Sequence, residues 1–463
     1  MTTGTAIGID IGGTRLRAAR VTGGVIEARA SADSARDPAE VTARVLELVA
    51  KVRNEAVTAI GIGVPGQVHA ATGRVLSGGY VDLSGFDFVG HIESATALPV
   101  ALENDATMAL LGEAAYGAAQ GQQNVVMLTI GTGIGGAILD QGQVLRGRGA
   151  AGQLGHIGID PQGRKCVCGK IGCVETTSSG TAFGVHLAEA GLPPDTRAED
   201  LLTRSDPNAR AVIHAWAAPL RAAIDTLIAT LNPDCVLIGG GAGTPAHAAL
   251  AQFPARDSWF KAAVLAASLG DDAGVIGAAT TALKNRPHKR AVFVNGVPAS
   301  GKSGVARALS DATGWPILAL DTVKNPFLTI LPPGDRLFNR TLGRASYAAI
   351  FDLIADAPAN TTVIIDAWFG FQPIETLQAH IQRAGLTEIA EIWCHAPPET
   401  IGARYTARLG SRPAGHPGGD YVPELVTLAQ GAKPTGLAPR IEVDTTKPIN
   451  AKPLTDWLGN LWR

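Results

Sequence analysis

Five cysteines in 463 residues are too few for a disulfide framework. Three of them, Cys166, Cys168 and Cys173, fall within eight positions, a spacing that points to a metal rather than to oxidation. No run reaches eighteen apolar residues, and the opening MTTGTAIGIDIGG has neither the basic nor the apolar region of a leader. A cytoplasmic protein without membrane contact is expected. Excess charge is missing too: 39 basic residues stand against 41 acidic, so the footprint of a dedicated nucleic-acid binder is absent. No low-complexity tract occurs, and with 46% apolar residues wholesale disorder is excluded. The length predicts two to four domains.

Two glycine-turned hairpins stand out. Thr5–Asp10 reads as a strand, followed by Gly12-Gly13 and the alternating Thr14–Ala19; Asn124–Ile130 reads as another, followed by Gly131-Thr132-Gly133 and a strand over 135–139. Between them lie a helical pattern over 38–56, a buried strand over 59–64 ending at Pro65-Gly66, and a short strand over 100–103 with a helix after it. A long helix near 211–231, a strand over 235–238 and a helix over 275–283 complete the second half. The repetition suggests two similar α/β lobes, about 1–118 and 119–284, with a cleft between them. Lys284–Arg290 is polar, basic and broken by Pro287, so residues 285–290 read as a linker, and a new α/β pattern occupies 291–463. Everything after Asn285 is mildly basic, with 18 basic residues against 15 acidic, which suits phosphate ligands.

Gly296-Val297-Pro298-Ala299-Ser300-Gly301-Lys302-Ser303 matches GxxxxGK[ST] between a strand and a helical pattern. Backbone N–H groups of such a loop wrap nucleotide phosphates, Lys302 reaches the β/γ oxygens and Ser303 ligates Mg²⁺. Asp366 ends the strand over 363–366, either as the carboxylate expected near that Mg²⁺ or as an ordinary strand-end acid. Arg404, Arg408 and Arg412 fall at i, i+4 and i+8, one helix face that is either a lid over transferred phosphate or a solvated basic surface. Asp321, ending a strand-like run over 316–320, is a substrate-positioning carboxylate or a turn acid. Gly131–Gly136 also fits GxGxxG, but a strand rather than a helix follows, which excludes a dinucleotide fingerprint.

Residues from about 5 to 284 resemble the ROK family (repressor, open reading frame, kinase) of actin-like, ribonuclease H-like, ATP-dependent sugar kinases. The resemblance rests on Asp10–Thr14, Gly61–Gly66, Glu103–Ala106, Thr129–Gly136, Gly152–His156, Cys166–Glu175 and Asn232-Pro233 with Gly239-Gly240-Gly241. Residues about 290–463 look like a small-molecule P-loop kinase of the gluconate- or shikimate-kinase type, with a mostly parallel sheet and Lys302 and Asp321 in catalytic places. The first resemblance implies phosphorylation of a hexose or hexose derivative at its primary 6-hydroxyl, with Asp105 as general base and a homodimeric assembly. Asn104, Gln153, His156 and Glu175 are then expected around the sugar. Asp10, Gly12, Gly13, Thr14, Thr132, Gly133, Gly239 and Gly240 are expected around ATP in the first part, and Gly296, Ser300, Gly301, Lys302, Ser303, Arg404 and Arg408 in the second. On residue chemistry alone, Asn104-Asp105 would serve equally as a helix cap.

His156, Cys166, Cys168 and Cys173 read His-x₉-Cys-x-Cys-x₄-Cys, the donor set of a closed structural zinc site, against a rival reading of buried free thiols. The family has the same ligand set here. Two departures fall where sugar hydroxyls are read: Gln153 stands where the family has glutamate, and no asparagine occurs between Gly61 and Glu103, the loop reading Ser77–Asp82. Glucose is therefore not assumed. Rival readings are a single kinase with a nucleotide-sensing second part, and a non-catalytic sugar-sensing regulator. With the hairpin starting by residue 5, the helix-turn-helix that precedes the sugar-binding unit of family repressors is not expected.

Overall fold

The computed structural model describes residues 4–78, 81–255, 258–332, 334–412 and 415–462. They form two compact units that divide between Arg286 and Pro287.

The first unit builds one sheet topology twice. Strands β1 (Thr5–Ile11), β2 (Arg15–Thr22), β3 (Val25–Asp33) and β4 (Val57–Val64) begin the first sheet. β5 (Gln67–His69) and β6 (Arg74–Ser77) make a separate ribbon, and β7 (Val100–Asn104) completes the sheet in the order β3-β2-β1-β4-β7. β1, β2 and β3 are antiparallel neighbours, whereas β4 and β7 run parallel to β1. The second sheet holds β8 (Val125–Ile130), β9 (Ile134–Asp140), β10 (Gln143–Val144), β11 (Cys235–Gly239) and β12 (Ala263–Ala266). Its order, β10-β9-β8-β11-β12, repeats the first with the same strand directions. The central strands are near-continuous apolar runs because both faces are covered, as TAIGIDI in β1 shows.

The closing helix, Ala273–Asn285, corrects the expected lobe boundaries. It packs on β1, β4 and the helix Asp105–Tyr116, so the chain returns to the first lobe instead of finishing in the second. Glycine makes the approach possible: a Cβ on Gly8 would meet the Val275 carbonyl, and one on Gly61 the Ala278 carbonyl. Among the described residues one helix, Pro207–Leu231, is long and apolar enough to cross a membrane; its Val212, Trp216, Leu220 and Ile224 lie in the core under the second sheet.

The second unit has one all-parallel sheet: β13 (Lys289–Asn295), β14 (Ile317–Ala319), β15 (Thr361–Ala367), β16 (Glu388–His395) and β17 (Arg440–Asp444), in the order β14-β15-β13-β16-β17. The expected linker over 285–290 shrinks to Arg286–His288. Asn285 ends a helix, and Lys289 and Arg290 are strand residues whose charges are used. The Lys289 ammonium donates to the Ile354 and Ala355 carbonyls at 2.9 and 2.6 Å, near the end of the helix Arg336–Asp356, where a cation is favoured. Arg290 pairs with Glu388 at 2.6 Å.

Candidate functional site

In the first unit the turns of the two equivalent hairpins, β1–β2 and β8–β9, border one cleft of about 590 Å³. Gly13, Thr14, Asn104, Asp105, Thr132, Gly133, Gln153, Glu175 and Gly240 line it. Asp10, Gly12, Gly239 and His156 lie outside that lining. Gly79 and Tyr80 of the loop after β6 lie outside the described residues. The Asn104 side chain caps the helix Asp105–Tyr116, accepting from Thr107 N at 3.2 Å, and donates to the Gly66 carbonyl at 3.0 Å. Capping and cleft lining thus coexist in the Asn104-Asp105 pair.

Asp105 occupies the first turn of that helix, its Oδ1 accepting from Ala106 N at 2.8 Å. Burial, and then the Asp10 carboxylate, push it from the ordinary aspartate value of 3.8 up to about 7. Asp10 is itself raised, chiefly by burial, with Arg17 Nη1 at 3.6 Å opposing. Glu103 belongs to the Glu103–Ala106 stretch, which by itself assigns it no role. It is 4% exposed, accepts from Asn104 N at 3.0 Å and from Arg146 Nε at 2.8 Å, and so ties the loop leading to Gln153 to the strand that presents Asp105. Only the acid before Asn104 hints at this; the arginine partner comes from the other lobe.

His156, Cys166, Cys168 and Cys173 converge, with one donor atom from each lying within 4.8 Å of the others. His156 Nδ1 is 3.5 Å from Cys166 Sγ, and Cys168 Sγ is 3.6 Å from Cys173 Sγ. Zinc–thiolate bonds of about 2.3 Å in a tetrahedron put neighbouring ligand atoms about 3.8 Å apart, so the donor set and its spacing fit that ion. Burial, followed by the neighbouring thiols, pushes Cys173 up to about 12, so an added cation is what would hold that sulfur as a thiolate. Glu175 links the cluster to the cleft. Its Oε2 accepts from Ile134 N at 2.9 Å at the β8–β9 turn, and its Oε1 is 3.9 Å from Cys166 Sγ.

In the second unit the Gly296–Gly301 loop leaves the C-terminal end of β13, where the sheet order diverges to β15 on one side and β16 on the other, and leads into the helix Lys302–Thr313. Crevices at such switch points are where parallel α/β sheets bind ligands. Gly301 (φ 88°) and Ala299 (φ 64°) are both left-handed, and the Ser300 N–H between them donates to the Val297 carbonyl at 3.1 Å. On one side the loop borders a cavity of about 630 Å³ with Gly301, Lys302, Ser303, Arg404 and Arg408. On the other, Lys302, Ser303, Asp321 and Asp366 line a cavity of about 290 Å³. Asp366 is 7% exposed, and its Oδ1, like Ser300 Oγ, is buried without a hydrogen-bond partner. Gly296 closes the loop's start, where a Cβ would crowd Ser300.

The arginine series does not share a helix face. The helix Pro398–Ala407 ends before Arg408, and a 3₁₀ turn, Leu409–Ser411, redirects the chain. Arg404 is pinned, donating to Thr445 Oγ1 at 3.0 Å and to its carbonyl at 2.8 Å, while that hydroxyl donates to the Ser300 carbonyl at 2.6 Å. Arg408 stays on the cavities beside Lys302, whereas Arg412 lies 4.9 Å over the Tyr405 ring with Asp321 at 3.8 Å.

Two lobes of one topology, closing paired glycine turns on a shared cleft, define the actin-like α/β sugar kinase fold. The chain belongs to the ROK family: that family's sequence profile matches residues 6–285, and this stretch is its ROK sugar kinase domain. The glucokinase of Halalkalibacterium halodurans is 32% identical over 305 residues, 58% of this chain and 92% of that protein. The N-acetylmannosamine kinase of Escherichia coli is 34% identical over 296 residues, 60% of this chain and 98% of that one. A solved ROK family glucokinase from Streptomyces griseus, in complex with glucose and AMPPNP, covers 60% of this chain and 99% of its own with a TM-score of 0.53 and 30% identity.

Proposed function

We propose that the first unit transfers the γ-phosphoryl group of ATP to a hydroxyl of a hexose or hexose derivative, the primary 6-hydroxyl, with Asp105 as general base. The observation that carries this is a carboxylate between the two glycine turns whose affinity for protons is tuned close to neutrality. A sugar hydroxyl is a poor nucleophile; Asp105 accepts its proton as the oxygen bonds to γ-phosphorus and the bond to the β–γ bridging oxygen breaks. Asn104 and Glu175 orient the sugar, and the turns at Gly13-Thr14 and Thr132-Gly133, with Gly240, admit the phosphates. The relatives' names support the hexose class. Gln153, an amide at the sugar end of the cleft, argues against assigning either relative's substrate. His156, Cys166, Cys168 and Cys173 would hold a structural zinc ion, which would brace the segment carrying Glu175.

For the second unit we propose an ATP-dependent small-molecule kinase. The Gly296–Gly301 loop and Lys302 hold the nucleotide, and Ser303 and the unpartnered oxygen of Asp366 hold Mg²⁺, which neutralises charge on the β and γ oxygens. An ADP-release screen over hexoses, amino sugars, ketoses and polyols tests both readings on wild type, Asp105→Asn and Lys302→Ala. A sugar should be turned over by wild type and Lys302→Ala, with kcat about 10²–10⁴-fold lower in Asp105→Asn. Full turnover by Asp105→Asn removes it as base. Loss of all activity in folded Lys302→Ala removes the two-site picture.

A further inference from the structure

The cavity beside Lys302 and Asp366 continues into a second, of about 330 Å³, sharing Asp321, Trp368, Tyr405 and Arg412 with it. The charge in this inner space is unbalanced. Lys324 follows Asp321 by one turn of the helix Leu320–Ile330; it is only 9% exposed and lines the cavity. Among the described residues it makes no hydrogen bond and no salt bridge. The acid of the same turn, Asp321, acts on it only through space and is 3.8 Å from Arg412. Arg336 is matched by Glu424 at 2.5 Å, while Arg340, on the same wall, forms no salt bridge among the described residues. His416 adds no counter-charge: its Nε2 lies 2.8 Å from Asn325 Oδ1, and burial with the nearby Arg412 and Lys324 charges pushes it down to about 4. A buried ammonium with no hydrogen bond, its nearby acid Asp321 shared with Arg412, is costly, and here it faces a cavity next to a phosphate-sized loop.

We propose that this cavity takes a phosphorylated sugar, its phosphate monoester held by Lys324, Arg340 and Arg412 and one free hydroxyl facing Asp321 and the Gly296–Gly301 loop. Four cations on this wall, Lys324, Arg336, Arg340 and Arg412, share two acids, Asp321 and Glu424, and that excess suits a dianion better than a single carboxylate; a phosphate monoester carries about −1.5 to −2 at pH 7. The inference rests on the reading that the second unit binds ATP at this loop, and it places the unit after a sugar kinase reaction, whose product is an anion of this kind. In the step itself the acceptor hydroxyl gives its proton to the Asp321 carboxylate and its oxygen bonds to the γ-phosphorus of ATP. The bond from that phosphorus to the β–γ bridging oxygen breaks, and its electron pair leaves on ADP. The product is a sugar bisphosphate.

The test uses the full-length Asp105→Asn protein, so that the first site is silent, with ADP release and ³¹P spectra as readouts. Hexose phosphates, neutral hexoses and sugar acids are each offered with ATP. Turnover is expected with a hexose phosphate alone. Adding Lys324→Met should raise the acceptor KM roughly 10–100-fold while leaving the KM for ATP unchanged. Lys324→Arg should recover most of the loss. Preference for a neutral sugar or a sugar acid, or an acceptor KM indifferent to Lys324→Met, overturns the proposal. Binding of a fluorescent ATP analogue separates the two layers. Two equivalents per chain, one lost in Lys302→Ala, together with no turnover of any hexose phosphate, overturn the acceptor assignment and leave the nucleotide site standing. A single equivalent unaffected by Lys302→Ala removes the nucleotide reading and the inference with it.

Discussion

The Asp105 carboxylate lies at a helix N-terminus, which favours its charge, yet burial and the Asp10 carboxylate outweigh that and hold it near neutrality. Two consequences have opposite signs with pH. As a base it acts only when ionised, so kcat/KM for the sugar should fall on the acid side of about pH 7 in a pH–rate profile. A flat profile from pH 5.5 to 8 removes Asp105 as the titrating base. For stability, a carboxyl whose folded value lies above its unfolded one favours the folded state at low pH, and that contribution is lost as pH rises from about 4 through 7. Asp105→Asn should therefore melt higher than wild type at pH 8, with the gap closing towards pH 4. The pair Asn104-Asp105 was readable as a motif, but this tuning was not, because Asp10 reaches it from another strand.

Among the elements, the segment from His156 to Glu175 brings four donor side chains together and ends on a residue that ties it to the cleft. The sulfur and imidazole donors converge, and Glu175, beside them, fastens the segment to the β8–β9 turn through Ile134 N. Cys168→Ser should lose the metal equivalent seen by elemental analysis and raise the sugar KM roughly 10-fold or more, because Glu175 loses its support. A stoichiometric metal that disappears with no change in sugar KM would show that the cluster does not brace the site. The spacing of these residues was legible because zinc ligands come as a short local pattern. The arginine series was legible in the same way and misled: a period of four carries no information about where a helix ends. Here the helix ends after Ala407 and a 3₁₀ turn follows, so Arg404, Arg408 and Arg412 face different surroundings.

At the scale of the whole chain, every hydrophobic core cluster among the described residues draws its members from one side of the Arg286–Pro287 boundary. A domain with its own core can fold alone. A fragment ending at Arg286 should therefore remain folded and keep the sugar turnover of the full chain, measured by ADP release; a fragment that folds but is inactive would mean that the second unit contributes to the first site. The duplication of the sheets was visible in the sequence as two glycine-turned hairpins. The return of the helix Ala273–Asn285 to the first lobe was not, since its alanine- and glycine-rich face fits any close-packed surface.

What the sequence determined by itself is therefore local: the glycine turns, the phosphate loop, the Asn104-Asp105 pair and the cysteine spacing, each set by chain geometry over a few residues. Tertiary structure decided the rest. It paired Glu103 with Arg146 across the lobes, set Asp10 against Asp105, turned Lys289 and Arg290 from apparent linker into strand, and left Lys324 buried on a cavity wall without a salt bridge. These outcomes share one physical reason. Burial and charge interactions depend on distances in space, and residues far apart in the chain supply the groups that fix them.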